Sequence, residues 1–154
     1  CTEMGKTMGL SETVVKRLKD AGYLHDIGKI VLDEQMLKKD ELNDEEKRKF
    51  QEHPVAGYRI LNLFDNIMDL SEAVYAHHEN WDGTGYPKGL KGEEIPLISR
   101  IITISEKYEK MLANTKNETS DTKEQVLNEM KEKAGTVFDP TLLEVFIDMI
   151  HKIE

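Results

Sequence analysis

The stretch His25-Asp26-Ile27-Gly28-Lys29 sets an imidazole beside a carboxylate, then a glycine, then an ammonium. It closes an apolar helical face made of Val14, Val15, Leu18, Ala21, Gly22 and Leu24, for which Ser11 is a good N-cap. Gly28 is expected to let the backbone turn, with Ile30, Val31 and Leu32 continuing as an extended or loosely helical apolar segment. His53, His77 and His78 follow, and a glycine-rich aromatic loop comes directly after them. The remainder of the chain reads as a scaffold that returns those groups to His25 and Asp26.

Upstream, Cys1 to Met8 reads as the tail of a helix that stops near Gly9. Downstream, Lys38 to Glu41 is polar connector, and Asn43 with Glu46 three residues later resembles a capping box. The helix from Asp44 is predicted to end near His53, because Pro54 disfavours a helical conformation in the residue before it. Pro54 itself suits the first turn of the next helix, which carries Val55, Ile60, Leu61 and Leu63. Asp69 or Ser71 is placed to begin a helix that reaches His77 and His78. Asn80 to Glu94 holds Gly83, Gly85, Pro87, Gly89 and Gly92 and is predicted to form no regular element. Pro96 opens a long helix to about Ala113, Asn114 to Asp121 is a polar loop, and Thr122 caps a helix to Lys133. Ala134-Gly135-Thr136 interrupts it, and Asp139-Pro140 starts a last helix with Leu142, Leu143, Val145, Phe146, Met149 and Ile150 on its apolar side. No strand pattern, repeat or domain boundary occurs, so the expected fold is all-α, a helical bundle in one domain over residues 1–154.

Composition narrows the function classes. The chain has 154 residues, 38% hydrophobic and 33% charged, which suits a single globular core. The net charge of −9 argues against long nucleic acid as a partner, and no apolar run is long enough to span a bilayer. A small anionic ligand is still compatible, because bound metal can dominate the local charge. The single cysteine, Cys1, excludes an internal disulfide and fits a reducing, cytoplasmic compartment. A first residue other than Met reads as the start of a fragment of a longer protein.

Histidine and carboxylate without cysteine point to a hydrolytic divalent metal such as Mn, Fe, Co, Ni or Zn. On a helix, the neighbours His25 and Asp26 would diverge by about 100°, as would His77 and His78. Such pairs serve two ions better than one, and Asp26 is able to bridge. Lys29, one turn on, is a candidate phosphate contact or a solvated lysine at a helix end. In Trp81-Asp82-Gly83-Thr84-Gly85-Tyr86-Pro87, Trp81 is expected in the core, while Tyr86 either projects toward a base or partner or is structural. Glu106 and Glu109 share a helical face, which either closes the metal site or is solvated alongside Lys107 and Lys110. His151 is read as a surface residue.

These segments, in this order, resemble the HD-GYP domains, a bacterial branch of the HD metal-dependent phosphohydrolases. The match runs through His25-Asp26-Ile27-Gly28-Lys29, His53-Pro54, His77-His78-Glu79, Trp81 to Pro87 and Gly92-Glu93-Glu94-Ile95-Pro96-Leu97, and on to Ala134-Gly135-Thr136 with Phe138-Asp139-Pro140. The resemblance implies an all-α signalling hydrolase with two or three divalent ions. It implies a cyclic di-GMP phosphodiesterase in which a metal-bridging hydroxide attacks phosphorus. It further implies His25, Asp26, His53, His77, His78 and Glu106 as metal ligands, with Asp26 bridging. Lys29 and Tyr86 would contact substrate, and the Gly85-Tyr86-Pro87 loop would border the substrate or a partner domain.

The chain departs from that pattern at four places. The family's first metal-binding histidine would fall upstream of Cys1. Glu106 and Glu109 stand where the family has aspartates. Thr115-Lys116-Asn117-Glu118 replaces an Arg-Pro-Tyr-Arg-like segment that helps to bind substrate. Two alternatives therefore stand beside the phosphodiesterase. One is a weak or inactive module that holds metal and binds a nucleotide or protein; the other is an HD-type hydrolase of a different phosphoester.

Overall fold

The computed structural model of the chain describes residues 1–39, 41–115 and 120–153, and no strand occurs among them. In order these residues form α1 (Thr2–Thr7), α2 (Glu12–Leu24), a 3₁₀ turn (Ile27–Val31), α3 (Glu34–Leu37), α4 (Asp44–Phe50) and α5 (His53–Leu61). A second 3₁₀ turn (Met68–Leu70) leads into α6 (Ser71–Tyr75), and a third (Gly92–Glu94) precedes α7 (Leu97–Ala113), α8 (Ser120–Glu132) and α9 (Pro140–Ile153). The all-α expectation holds. Among the described residues no helix is long and apolar enough to cross a membrane.

Local chemistry explains most helix starts. Ser11 Oγ accepts from the Val14 N–H at 3.4 Å. The capping box is complete: Asn43 Oδ1 accepts from Glu45 and Glu46 N–H at 3.0 and 2.9 Å, and Glu46 Oε2 accepts from Asn43 N–H at 3.0 Å. Asp139 Oδ1 accepts from Thr141 and Leu142 N–H at 3.0 and 3.2 Å and starts α9. The short α3 has no forerunner in the sequence reading; Asp33 Oδ1 caps it through Gln35 N–H at 2.7 Å. The helix placed at Thr122 begins earlier, at Ser120, and residues 116–118 of the Thr115 segment lie outside the described residues.

Two boundaries differ where the histidines sit. α4 stops at Phe50, and His53 is the first residue of α5 rather than the last of the helix before it. The usual bias against a helical residue before proline is overridden there, with His53 Nδ1 donating to the Phe50 carbonyl at 2.6 Å. α6 stops at Tyr75, so His77 and His78 lie in the turn beyond it instead of on a helix. The reason is tertiary. Hydroxyls of α7 take the carbonyls at this end, Ser99 Oγ donating to Ala73 O at 2.8 Å and Thr103 Oγ1 to His77 O at 2.7 Å.

The larger core cluster joins α1, α2, α7, α8 and α9 through Met4, Leu18, Ile101, Ile104, Met130 and Phe146, among others. A smaller one, Ala21, Leu61, Leu70, Ala73, Val74 and Ile102, ties α2, α5, α6 and α7 together and so fixes the elements that carry the histidines. Trp81 is not in either core. It is half-buried, with the Arg100 guanidinium 5.7 Å from its ring, and Arg100 also pairs with buried Asp139 at 2.7 Å.

Gly28 lies in a turn, as expected, but its role there is one of packing. Its φ is not positive, and a Cβ there would lie 1.8 Å from His53 O and 2.5 Å from Gly57 N. The glycine lets the 3₁₀ turn lie directly on α5, which brings Asp26 to His53. Gly28→Ala forces backbone apart and is expected to cost about 3 kcal/mol of stability, read as a lowered urea midpoint.

Candidate metal centre

His25, His53 and His77 are held by one device. Each Nδ1 donates to the carbonyl three residues earlier, at 2.7 Å to Gly22, 2.6 Å to Phe50 and 2.5 Å to Val74. A carbonyl only accepts, so Nδ1 carries a proton, which leaves Nε2 as the atom with which each ring can ligate a cation.

Those atoms converge. His53 Nε2 lies 3.4 Å from His77 Nε2, 3.2 Å from His78 Nε2 and 3.4 Å from Asp26 Oδ1. Asp26, His53, His77 and His78 each offer a ligand atom within 4.8 Å of the others. Asp26 Oδ1 is buried and has no hydrogen-bond partner. His53 and His77 therefore face each other lone pair to lone pair, an arrangement relieved by a cation between them. A second group, His25, Asp26 and Glu106, meets the same distance criterion. Glu106, on α7, is nearly buried and its Oε2 also has no hydrogen-bond partner. Asp26 belongs to both groups. These donor sets, N and O atoms without sulfur, fit borderline-hard divalent ions such as Mn²⁺, Fe²⁺ or Zn²⁺.

The helical argument for divergent neighbours fails at both pairs, since the chain leaves the helix there. His25 ends α2, and Asp26 has φ −97° and ψ 8°. His77 and His78, in their turn, both reach the first group.

Lys29 stands beside the cluster, but paired: its Nζ is 2.6 Å from Asp26 Oδ2 and 5.2 Å from the centre of the Phe50 ring. Tyr86 lies against the cluster. Its ring stacks on His78 with centroids 5.0 Å apart, its N–H donates to His78 O at 3.2 Å, and its bond to Pro87 is cis. His151 lies outside both groups, exposed and 3.1 Å from Glu124.

One contributor had no assigned role in the sequence. Glu79 is buried, and its carboxylate accepts from the N–H groups of Lys88, Gly89 and Leu90 at 2.7, 3.1 and 3.1 Å. It pins the loop that lays Tyr86 over His78. Gly85 permits the approach, since a Cβ there would sit 2.3 Å from Asn80 N. The signal available in the sequence was an acid directly before a loop rich in unpaired N–H donors.

Electrostatics agree with a cationic occupant. Burial opposes ionisation of Asp26, but His53, Lys29 and His25 hold its carboxyl well below the usual range. Burial pushes His78 far down, with His77 and His53 adding to the effect. Burial, helped by His25 and His53, lowers His77 to about 4 despite the Val74 carbonyl and Glu106. Burial raises the Tyr86 phenol above its ordinary value, with Glu106 and Asp26 contributing, so it stays a proton donor.

The depressed imidazoles make the metal-free protein acid-sensitive. The unfolded chain takes up a proton at an ordinary histidine pKa near 6.5, whereas folded His77 resists until about 4. The unfolded state binds more protons between those values, so stability falls as pH drops from about 6.5 toward 4. In chelator, the melting temperature is expected to be level above neutrality and to decline through that window. A flat profile down to pH 4 would contradict the buried neutral imidazoles.

Comparison with known proteins gives a consistent set. A family profile described as HD domain matches residues 1–142. A cyclic di-GMP phosphodiesterase from Thermotoga maritima is 33% identical over 153 residues, covering 97% of this chain and 42% of its own length. The cyclic di-GMP phosphodiesterase response regulator RpfG from Xanthomonas campestris is 33% identical over 147 residues, covering 94% of this chain and 39% of that protein. A 3'3'-cGAMP-specific phosphodiesterase from Vibrio cholerae is 32% identical over 151 residues, with 96% and 29% covered. The chain thus spans less than half the length of each of these relatives. Among solved structures, a cyclic GMP-AMP specific phosphodiesterase from V. cholerae shares the fold with a TM-score of 0.76 at 20% identity, over 97% of this chain and 41% of that one. An HDG"Y"P protein from Bdellovibrio bacteriovorus does so at 0.73 and 16%, over 96% and 48%.

Proposed function

This chain belongs to the HD domain family, in its HD-GYP branch, and we propose that it is a metal-dependent phosphodiesterase domain that opens a cyclic dinucleotide. The observation that carries the reading is the convergence of ligand atoms of Asp26, His53, His77 and His78 within 4.8 Å of one another, Asp26 Oδ1 among them without a hydrogen-bond partner. The relatives are named for cyclic di-GMP or cGAMP, so the substrate class is a cyclic purine dinucleotide.

In this reading, Asp26, His53, His77 and His78 hold one divalent ion, and His25, Asp26 and Glu106 hold a second. Bound ions would supply Lewis-acid activation of water and of the phosphoryl oxygens. The chain's own groups do the rest. Lys29, on the Asp26 side, offers an ammonium to a non-bridging phosphate oxygen. Tyr86 keeps its phenol proton and presents a donor at the rim, where its ring also walls off His78. Glu79 holds the loop that carries Tyr86 and so sets the position of that donor.

The test is direct. The chain, loaded anaerobically with Fe(II) or Mn(II), is incubated with cyclic di-GMP and with 3′3′-cGAMP, and linear dinucleotide is followed by chromatography. The expected result is linear product that is lost on chelation. A metal-loaded chain that cleaves neither compound sinks the proposal. A second reading has its own support: Lys110 already engages the Glu106 carboxylate. A module with an incomplete second metal position would bind the dinucleotide without turnover, and calorimetry on the same samples distinguishes that case.

A further inference from the structure

The two donor groups are not equivalent. In the first, Asp26 Oδ1 and the Nε2 atoms of His53 and His77 are free of any ammonium. In the second, both carboxylates are already engaged: Lys29 Nζ sits 2.6 Å from Asp26 Oδ2, and Lys110 forms an ion pair with Glu106 Oε1. The Lys29 contact burdens both groups, because Asp26 is common to them. The Lys110 ion pair is made to the second group alone, although its charge also acts on His78 of the first. Lys110 is one helical turn beyond Glu106 on α7, so its reach back to that carboxylate is built into the helix. Its own side chain is about half exposed, whereas the Glu106 side chain is 9% exposed with Oε2 buried and without a hydrogen-bond partner.

We propose that Lys110 is an internal competitor for the second cation, so that this chain holds one divalent ion tightly at Asp26–His53–His77–His78 and a second weakly at His25–Asp26–Glu106. The physical reason is displacement. A divalent ion entering beside Glu106 must detach the ammonium or share the carboxylate with it, and the two cations repel at close range. The first ion meets an ammonium only on Asp26 Oδ2, and Asp26 Oδ1 is left to it. Dinuclear occupancy then depends on the free metal concentration, and a substrate phosphate that draws Lys110 away from Glu106 favours the second ion.

The inference rests on the metal reading above, and its test separates the two. The 154-residue chain, stripped with chelator, is titrated with Mn(II) by calorimetry and by electron paramagnetic resonance, in which a spin-coupled pair differs from an isolated ion. The wild type is expected to take one equivalent tightly and a second at least about tenfold more weakly. Lys110→Met, which keeps the apolar stem, is expected to tighten the second step about tenfold and the first by less than about twofold. Lys110→Arg keeps the cation and the wild-type pattern. Two equal steps in the wild type, or a Lys110→Met second step within twofold of wild type, overturns the role of Lys110 while leaving the metal reading intact. No bound Mn(II) in any variant overturns both. Circular dichroism verifies that each variant folds.

Discussion

Asp26→Asn is expected to reduce turnover of a cyclic dinucleotide by about 1000-fold or more while leaving the metal-free fold nearly intact. Asp26 is the one residue common to both donor groups. The amide removes the negative charge and offers one carbonyl oxygen where the carboxylate offers two, so it binds a cation more weakly and cannot serve both positions. Its structural contribution is smaller. The side chain is one-third exposed and its closest partner is Lys29; partly exposed pairs of this kind are worth about 1 kcal/mol or less. The distinguishing measurement is a pair of melting curves. In chelator, the variant and wild type should melt within a few degrees of each other; with Mn(II), only the wild type should rise. Retention of stoichiometric tight metal by the variant would remove Asp26 from the centre.

Metal saturation is expected to raise the melting temperature of the wild type by about 8 to 16 °C. The estimate follows from linkage. Free ion at a thousand times its dissociation constant stabilises the native state by about 4 kcal/mol, and each kcal/mol shifts a chain of this size by about 2–4 °C. The lone pairs of His53 and His77 oppose each other in the metal-free state, so the native state also loses a repulsion when a cation enters. The effect should vanish in chelator. It should also shrink as pH falls toward 4, because the proton competes for Nε2 of His77. Scanning calorimetry with and without Mn(II), at neutral pH and near pH 4.5, tests both parts. A shift below about 2 °C with excess Mn(II) at neutral pH would mean that the cluster is held apart for some other reason.

The helices were legible because their signals are local. Ser11, the Asn43–Glu46 box and Asp139 each act within three residues of themselves, and each does what its residue type dictates. The donor residues were legible as well, because His25, Asp26, His53, His77, His78 and Glu106 lie in segments whose residue types and order are distinctive. The ends of α4 and α6 were less legible. The Phe50 carbonyl finds its partner three residues on, at His53, but the Ala73 carbonyl finds Ser99 of α7, 26 positions away, and nothing near it in sequence announces that. Gly28 does lie in a turn, Ile27–Val31, but its packing role was hidden, because the residue that it must avoid is His53, 25 positions away. Trp81 looked like a core residue by type, but it is half-buried outside both clusters, with Arg100 as the partner of its ring.

By itself, the sequence determined an all-α chain, the residues able to ligate metal and the glycine-rich loop after the histidine pair. Only the tertiary structure decided how those donors divide. Packing of the Ile27–Val31 turn on α5 sets Asp26 against His53, and the hydroxyls of α7 end α6 early enough for His77 and His78 to share one point. It also decided that Asp26 Oδ1 stays free, whereas the Lys110–Glu106 pair is local to α7. Residue type limits which atoms can donate a lone pair; whether two such atoms lie within about 4 Å depends on long-range backbone contacts, and Coulomb energy over that distance decides which site a cation fills first.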